Sequence, residues 1–417
     1  MKYLDRLVFA SAAVLAIWGM APERVSAQMR PGAVYRWGYN YSDEPGKMSS
    51  GIYNSPVAVL DLSDVVQVVG GSNGSTLVLK ADGTVWGRGN NSYGQLGNGT
   101  FADSSVFVQV MGLKDVVQIA ASNHVVALKS DGTVWAWGWN YSGELGNGTL
   151  FINSSVPQQV SGLENVVQIS TGVSHVLAVK SDGTLWAWGC QPYGLGNGTD
   201  TLSAVPVRVS GPDNVIRVAA GNHNLVLTSD GTVWAWGNNS YGQVGDGTRF
   251  NTRPRPVPVM IPGVGPLKIV DLATGVGHSL ALRSDGTVWA WGANGEGELG
   301  DGNRDFSSSP VQVFNLSNVT SVAAGYLHSL ALKSDGTVWV WGDNYWSELG
   351  TGRDSRTLSF SVVPISVPTL SNVIAIAKTG AIHSLAIVSS NTATNLASRS
   401  GAELNTTYSC FQNCLTH

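Results

Sequence analysis

Charged residues are scarce in this chain of 417 residues, where Asp, Glu, Lys and Arg together make up 12%. So few charges, combined with 43% hydrophobic residues, exclude a disordered chain. The 24 basic residues are outnumbered by 28 acidic ones, so the chain lacks the basic surface by which proteins hold nucleic acid. Long stretches rich in Ala, Glu, Lys and Leu are also missing, which argues against a helical bundle or a coiled coil. We expect a globular protein with no nucleic-acid partner.

Cysteine is equally rare, with three residues in the chain. Cys190 follows a Trp-Gly pair and is predicted to be a lone thiol. Cys410 and Cys414 lie in a Ser/Thr/Asn-rich tail, residues 390–417, and are the candidates for a disulfide after export. A bridge between them would close a very short loop. Pairing between molecules, or no pairing at all, is equally open.

A long hydrophobic run occurs only at the N-terminus. Lys2 and Arg6 precede an apolar run of 15 residues from Leu7 to Ala21, and Val25-Ser26-Ala27 offers the small residues of a cleavage site. The run is shorter than the roughly 20 residues that span a bilayer, so residues 1–27 are predicted to be a signal peptide, with a membrane anchor as the alternative. The remaining chain has a net charge of −5. We expect it to be secreted, periplasmic or on the cell surface, without a membrane span.

Glycine and tryptophan, by contrast, are abundant, with 51 and 15 residues, and they belong to a repeat. The tripeptide Asp-Gly-Thr recurs every 48 to 55 residues, at Asp82, Asp131, Asp182, Asp230, Asp285 and Asp335. Alternating apolar runs on both sides of Asp-Gly predict a β-hairpin with a tight primed turn, in which both central residues have positive φ. One further strand before and one after the hairpin complete a four-stranded antiparallel sheet. We name its strands inner, second, third and outer.

Counting each strand separately predicts how the repeats are arranged. Inner strands are predicted to begin near Val65, Val116, Val166, Val215, Lys268, Val319 and Val373. Third strands carry Trp-Gly or its equivalent at Trp37, Arg88, Trp137, Trp188, Trp236, Trp291 and Trp341. The first third strand has no Asp-Gly before it, so it is expected to pair with the last second strand. Residues 28–389 are therefore predicted to form an all-β fold, a seven-bladed β-propeller of four-stranded antiparallel blades, closed by pairing of the N- and C-terminal strands.

The third strand shows how neighbouring blades are expected to pack. Trp289 and Trp291 alternate with Val288 and Ala290, so bulky and small side chains point to opposite faces of the sheet. A bulky face on one blade is then predicted to meet a small-residue face on the next. No single blade of about 50 residues buries its faces alone, so neighbours are obligatory.

These blades resemble the regulator of chromosome condensation repeat. The shared pattern is AAG-x-x-H-S-L-A-L-K-S-D-G-T-V-W-x-W-G-x-N-x-x-G-E-L-G-N-G-T, and the resemblance covers about residues 31 to 388. Blade 1 departs mildly, with Ser75 in place of His and Arg88 in place of the second Trp. The resemblance implies a seven-bladed propeller, and the signal segment indicates an exported, bacterial-type member.

Catalytic chemistry is not expected from the repeated polar residues. Six histidines stand at one position per blade, namely His124, His175, His223, His278, His328 and His383. They are too far apart around a ring to hold one metal ion, so each imidazole is predicted to bond a backbone group. The Asp of Asp-Gly-Thr is explained by its turn. We expect no catalytic residues, no metal site and no cofactor, and therefore no enzyme.

The loops after the third strands are the candidate binding region. Inner-to-second and third-to-outer loops must emerge on one face, and the residues after Trp-Gly vary there from blade to blade. Many are Tyr or Trp, the side chains enriched at interface hot spots. The candidate partner-binding residues are Tyr39, Tyr41, Trp139, Tyr141, Tyr326, Tyr345 and Trp346. Blade 2 does not adjoin blades 6 and 7, so an interruption of this surface is expected.

The leading hypothesis is an exported, monomeric, non-enzymatic scaffold that binds a protein through this aromatic face. The resemblance implies two alternatives. The family's founder is a guanine-nucleotide exchange factor, which needs a protruding wedge and a nuclear or cytosolic location. Secreted members include a bacterial inhibitor of β-lactamases, so inhibition of a secreted enzyme is a second alternative. Carbohydrate binding in the channel is the third, although the inner strands supply one acid there, Asp271.

Overall fold

A computed structural model gives the fold of most of the chain. It describes residues 32–40, 51–59, 62–72, 74–190, 194–199, 201–263, 268–378 and 383–389. The predicted signal peptide, the tail with Cys410 and Cys414, and the candidate Tyr41 lie outside the described residues. Within those ranges, no helix has both the length and the apolar character that crossing a bilayer requires.

The described residues form 28 strands that repeat in the order inner, second, third, outer. The inner strands of blades 1 to 7 are Val65–Gly70, Val116–Ala121, Val166–Thr171, Val215–Ala220, Ile269–Thr274, Val319–Ala324 and Val373–Ile376. The second strands are Thr76–Lys80, His124–Lys129, His175–Lys180, His223–Thr228, His278–Arg283, His328–Lys333 and His383–Ser389. The third strands are Val85–Gly89, Val134–Gly138, Leu185–Gly189, Val233–Gly237, Val288–Gly292, Val338–Asp343 and, in blade 7, Gly32–Asn40. The outer strands are Ser104–Gln109, Ser154–Gln159, Ser203–Arg208, Arg253–Val259, Ser307–Gln312, Phe360–Ser366 and, in blade 7, Gly51–Val59.

The two ends of the propeller jointly build blade 7, as the strand count predicts. Gly32–Asn40 pairs antiparallel with His383–Ser389, with Val34 opposite Ile387 and Trp37 opposite Ser384. Gly51–Val59 pairs with the other edge of Gly32–Asn40. Because four strands from both ends share one sheet, the seven-bladed, closed architecture is confirmed.

The hydrophobic core is divided among the contacts between blades. The described residues contain seven apolar clusters, and each joins one blade to its neighbour. One of them joins blade 7 to blade 1 through Val34, Leu385, Val68 and Val78. The ring of contacts is therefore complete.

Packing between blades follows the predicted alternation of large and small faces. Trp291 of blade 5 packs against Leu225 and Ala235 of blade 4. On its other face, Val288 and Ala290 pack against blade 6. In blades 2 to 6, the second Trp of the third strand is buried, whereas the first is half-buried.

The hairpin turn differs from the predicted primed turn. Gly83 has a φ of 77°, but Asp82 is not among the residues with positive φ. The Gly83 N–H donates to the Lys80 carbonyl at 3.0 Å, and the Lys80 N–H donates to the Thr84 carbonyl at 2.9 Å. This is the three-residue loop with glycine at its left-handed position. The Asp82 carboxylate accepts the Thr84 N–H at 2.9 Å, so the aspartate stabilises the turn without needing positive φ itself.

Candidate binding face

The inner-to-second and third-to-outer loops meet on one face, which we call the loop face. The Trp139 N–H, after a third strand, donates to the carbonyl of Asn123, before a second strand, at 3.2 Å. In blades 1, 2, 4, 5 and 6, a buried asparagine fixes the long loop. In blade 2, Asn140 donates to the Thr149 carbonyl at 3.2 Å and accepts the Leu145 N–H at 3.0 Å. The constant residue therefore builds the loop, which leaves its variable neighbours available for contact.

Three of the candidate aromatic residues form one group, the blade 6–7 cluster. The rings of Tyr39 and Trp346 meet edge to face with centroids 4.9 Å apart. Tyr345 makes a similar contact with Trp346 at 4.8 Å. Tyr345 is 63% exposed, so the cluster presents a ring to solvent on a base of packed rings. Aromatic pairs of this geometry hold their neighbours in place.

Two further candidates belong to a separate group, the blade 1–2 cluster. Trp139 contacts Tyr93 of blade 1 at 4.4 Å and stacks on Tyr141 at 5.9 Å. Tyr141 in turn contacts Phe151 at 4.8 Å. Sequence reasoning did not select Tyr93 or Phe151. Phe151 has a φ of 60° and is 63% exposed, and the left-handed region is unusual for a bulky residue.

The sequence did not predict a third aromatic group, which we call the blade 4–5 cluster. Tyr241 and Phe306 meet at 5.6 Å, and the Arg249 guanidinium lies 5.1 Å from the Phe306 centroid and 5.3 Å from that of Phe250. Phe250 is 83% exposed with a φ of 62°. The available sequence signal was loop length, because the segments carrying Phe151 and Phe250 are each one residue longer than their counterparts in blades 1, 3 and 5.

Tyr326, the remaining described candidate, stands apart from these clusters. It lies in the inner-to-second loop of blade 6, and its carbonyl accepts the N–H of Val276 in blade 5 at 3.3 Å. The Tyr326 residue itself is exposed. The described candidates thus lie in loops of one face and fall into separate groups.

The repeated histidines connect neighbouring blades through side chains, which corrects the expected bond to a backbone group. Each bonded imidazole reaches the residue that follows the histidine of the next blade. The pairs are His175 with Asn224 at 2.6 Å, His223 with Ser279 at 2.6 Å, His278 with Ser329 at 3.0 Å, and His328 with Ser384 at 2.9 Å. His124 makes no such bond because blade 3 has Val176 at that position. Within the described ranges, no group of three His, Cys, Asp or Glu residues is arranged to hold a metal.

The central channel is lined by bonds between inner strands. Gln67 clamps the backbone of Ile119, donating at 2.8 Å and accepting at 2.9 Å. Asp271 instead forms an ion pair with Lys378 and accepts the Val322 N–H at 3.2 Å. Burial acts to raise the pKa of Asp271, but the charges of Lys378 and Arg217 outweigh it and hold that pKa below its ordinary value. The acid of the channel is therefore an ionised structural partner.

Known proteins share this architecture. Residues 106–396 match the family described as the RCC1-like domain, and two shorter matches to the regulator of chromosome condensation (RCC1) repeat cover residues 65–95 and 82–128. The chain belongs to the RCC1-like domain family. It is 30% identical over 290 residues to the ultraviolet-B receptor UVR8 of Arabidopsis thaliana, a match covering 67% of this chain and 65% of that protein. It is 32% identical over 167 residues to the human probable E3 ubiquitin-protein ligase HERC4, covering 38% of this chain and 16% of that protein.

Solved structures of RCC1-like propellers share the fold. Human WBSCR16 superposes with a TM-score of 0.76 at 25% identity, covering 86% of this chain and 99% of that one. Prp20p of Saccharomyces cerevisiae gives a TM-score of 0.75 at 24% identity, covering 92% and 99%. Prp20p is described together with its binding to Gsp1p and histones.

Proposed function

We propose that this RCC1-like propeller is an exported, non-enzymatic scaffold that binds a protein partner through the aromatic clusters of its loop face. The observation that carries the proposal is the pair of packed ring groups, the blade 6–7 and blade 1–2 clusters. Each combines half-buried rings with exposed ones, Tyr345 at 63% and Tyr141 at 58%. Large rings already held by neighbours lose little conformational freedom on binding, which is why they serve as interface anchors.

The remaining elements of the proposal rest on the sequence and on the channel. Residues 1–27 act as the export signal, because their basic start, apolar run and small residues fit that role. The absence of catalysis is supported by Asp271, whose carboxylate is held by Lys378 and is not paired with a second acid at the equivalent inner-strand positions. The partner is a protein, since aromatic clusters of this kind are typical of protein interfaces.

Substitution of one ring in each cluster tests the proposed face. The Trp139→Ala/Trp346→Ala double variant is expected to weaken binding about 30-fold or more, because loss of a hot-spot ring costs about 2 kcal/mol. The measurement is affinity capture from the culture medium or envelope of the source organism, followed by titration of the captured protein. Phe314→Ala is the matched control, since Phe314 is 53% exposed but follows an outer strand and lies on the opposite face. Equal binding by both variants would remove the loop face from consideration.

A further inference from the structure

In blades 1 and 4, the third-to-outer loop is held by a pair of amide side chains. In blade 1, Gln95 donates to the Asn90 carbonyl oxygen at 2.7 Å and accepts the Tyr93 N–H at 2.9 Å. Blade 4 repeats this arrangement, with Gln243 donating to Asn238 at 3.1 Å. Each asparagine also accepts the N–H two residues on, as Asn90 does from Ser92 at 3.2 Å. The glutamine NH₂ therefore supplies the one hydrogen that joins the two side chains.

Blade 6 places two carboxyl groups at these same positions. Asp343 stands where blade 1 has Asn90 and accepts the Tyr345 N–H at 2.9 Å. Glu348 stands where blade 1 has Gln95 and accepts the Trp346 N–H at 2.8 Å. The bonds to the backbone are thus retained, but the NH₂ donor between the side chains has gone. Two carboxylates in this arrangement would face each other without a hydrogen between them, unless one of them is protonated.

The surroundings of this pair supply little to stabilise two negative charges. Glu348 is 3% exposed. The neighbouring loop of blade 5 adds Glu296 and Glu298, and the Arg304 of that loop lies 3.5 Å from Glu296. From blade 7, the Trp37 indole and the Ser384 hydroxyl both donate to the Glu348 backbone carbonyl, at 2.7 and 3.1 Å.

The nearby histidines are neutral, because burial lowers the pKa of His328 to about 3 and that of His383 to about 4. Burial, and after it the charge of Asp343, raises the pKa of Glu348 to about 8. Burial and the charge of Glu296 raise the pKa of Asp343 as well. Glu298 also has a raised pKa, with burial as the main cause.

We propose that Asp343 and Glu348 share one proton in neutral solution, and that its loss in mildly alkaline solution loosens the loop carrying Tyr345 and Trp346. The shared proton takes the place of the glutamine hydrogen of blades 1 and 4. Both carboxyl groups hold the backbone N–H groups of the two aromatic residues, so their mutual repulsion acts directly on the blade 6–7 cluster. If that cluster binds the partner, as the proposed function states, binding is stronger in neutral than in alkaline solution.

The proton itself is detected without any partner, by infrared spectroscopy of the full-length protein. At pH 7, the wild type is expected to show a protonated-carboxyl C=O band that Glu348→Gln lacks, and this band should titrate away with a midpoint near pH 8. Asp343→Asn should lower that midpoint, because it removes the neighbouring charge. A wild-type spectrum at pH 7 that matches the Glu348→Gln spectrum in this region would overturn the proposal.

Loosening of the loop is measured by trypsin cleavage, since the exposed Arg353 and Arg356 lie in the same loop. The control is Asp343→Asn/Glu348→Gln, which recreates the amide pair of blades 1 and 4 and is expected to fold. The ratio of wild-type to control cleavage should be near 1 at pH 7 and rise several-fold at pH 9. A constant ratio would contradict the proposal. Both readings are independent of partner capture, so failure of the proposed function and failure of this inference are distinguishable.

Discussion

Acidification from pH 6.5 to about pH 5 is expected to destabilise this propeller strongly, because six histidines that stay neutral in the folded core bind protons once the chain unfolds. Burial is the main cause that lowers the pKa of each from an ordinary value of 6.5. It falls to about 3 for His124, His223 and His328 and to about 4 for His175, His278 and His383. The unfolded chain binds these protons at a higher pH than the folded one, so acid favours the unfolded state.

The size of this effect follows from the difference between the histidine pKa values in the folded and the unfolded state. The stabilisation is fully present above pH 6.5 and is lost as the pH falls toward 4 and 3. At pH 5.5 each histidine removes roughly 1 kcal/mol from the free energy of unfolding, so the six together remove several kcal/mol. This is comparable to the whole stability of a typical protein, about 5–15 kcal/mol. The Asp-Gly-Thr carboxylates have lowered pKa values, so they contribute only at lower pH.

Urea unfolding monitored by circular dichroism at several pH values measures the proton uptake. We expect several protons per molecule between pH 6 and 5. The chain offers a matched variant, His124→Ser, because blade 1 carries Ser75 at the histidine position and His124 lacks the side-chain bond to the next blade that four other histidines make. Between pH 7.5 and 5.5 this variant should lose about 1 kcal/mol less of its free energy of unfolding than the wild type loses. A free energy of unfolding that stays constant over this range would contradict neutral, buried imidazoles.

Glu348 has the opposite pH dependence. Its pKa is raised from 4.5 to about 8, so the folded state keeps a proton that the unfolded chain releases above pH 4.5. Its contribution therefore makes the protein less stable as the pH rises from 4.5 to 8. The histidines and this carboxyl group together place the greatest stability near neutrality.

Blade number and ring closure were predictable from the sequence because they depend on counting. Seven inner strands and a third strand without its own Asp-Gly determine that the chain ends meet, whatever the side chains at the loops are. The alternation of Trp291 with Ala290 likewise shows which face is bulky, because strand geometry alone fixes it. These features depend on the spacing of the repeats and on the alternation of side chains along a strand, and the sequence shows both in blade after blade.

The turn type and the ring clusters were less accessible because they depend on detailed contacts. Asp-Gly is compatible with both a primed turn and a three-residue loop, and the bonds of Lys80 decide between them. The partners of His175, His223, His278 and His328 lie on another blade, about 50 residues away, so local sequence does not reveal them. Phe151 was missed because one inserted residue changes its φ, and its contact with Tyr141 exists only in the folded loop.

Trp37→Ala is expected to cost about 3–5 kcal/mol of stability, the range for removing a fully buried Trp from a core. Trp37 is 1% exposed, and it packs with Leu349 and Val340 of blade 6 in the cluster that joins blades 6 and 7. Its indole N–H donates to the Glu348 carbonyl at 2.7 Å. Gly350 fits against this ring, since a Cβ there would lie 2.5 Å from it. The cavity left by Ala cannot easily be filled.

The position of Trp37 gives this substitution a second consequence. Blade 7 is built from strands of both ends of the propeller, so a weakened blade 6–7 contact should release the N-terminal strand first. Amide hydrogens of Val34 and Arg36, which face Ile387 and Leu385, are expected to exchange faster in Trp37→Ala. Trp339→Ala is the control, because Trp339 is half-buried with Lys333 over its ring at 5.1 Å, and its loss should cost only about 1 kcal/mol. Equal destabilisation by both substitutions, with unchanged exchange at Val34, would mean that the closing strand does not depend on the buried tryptophan.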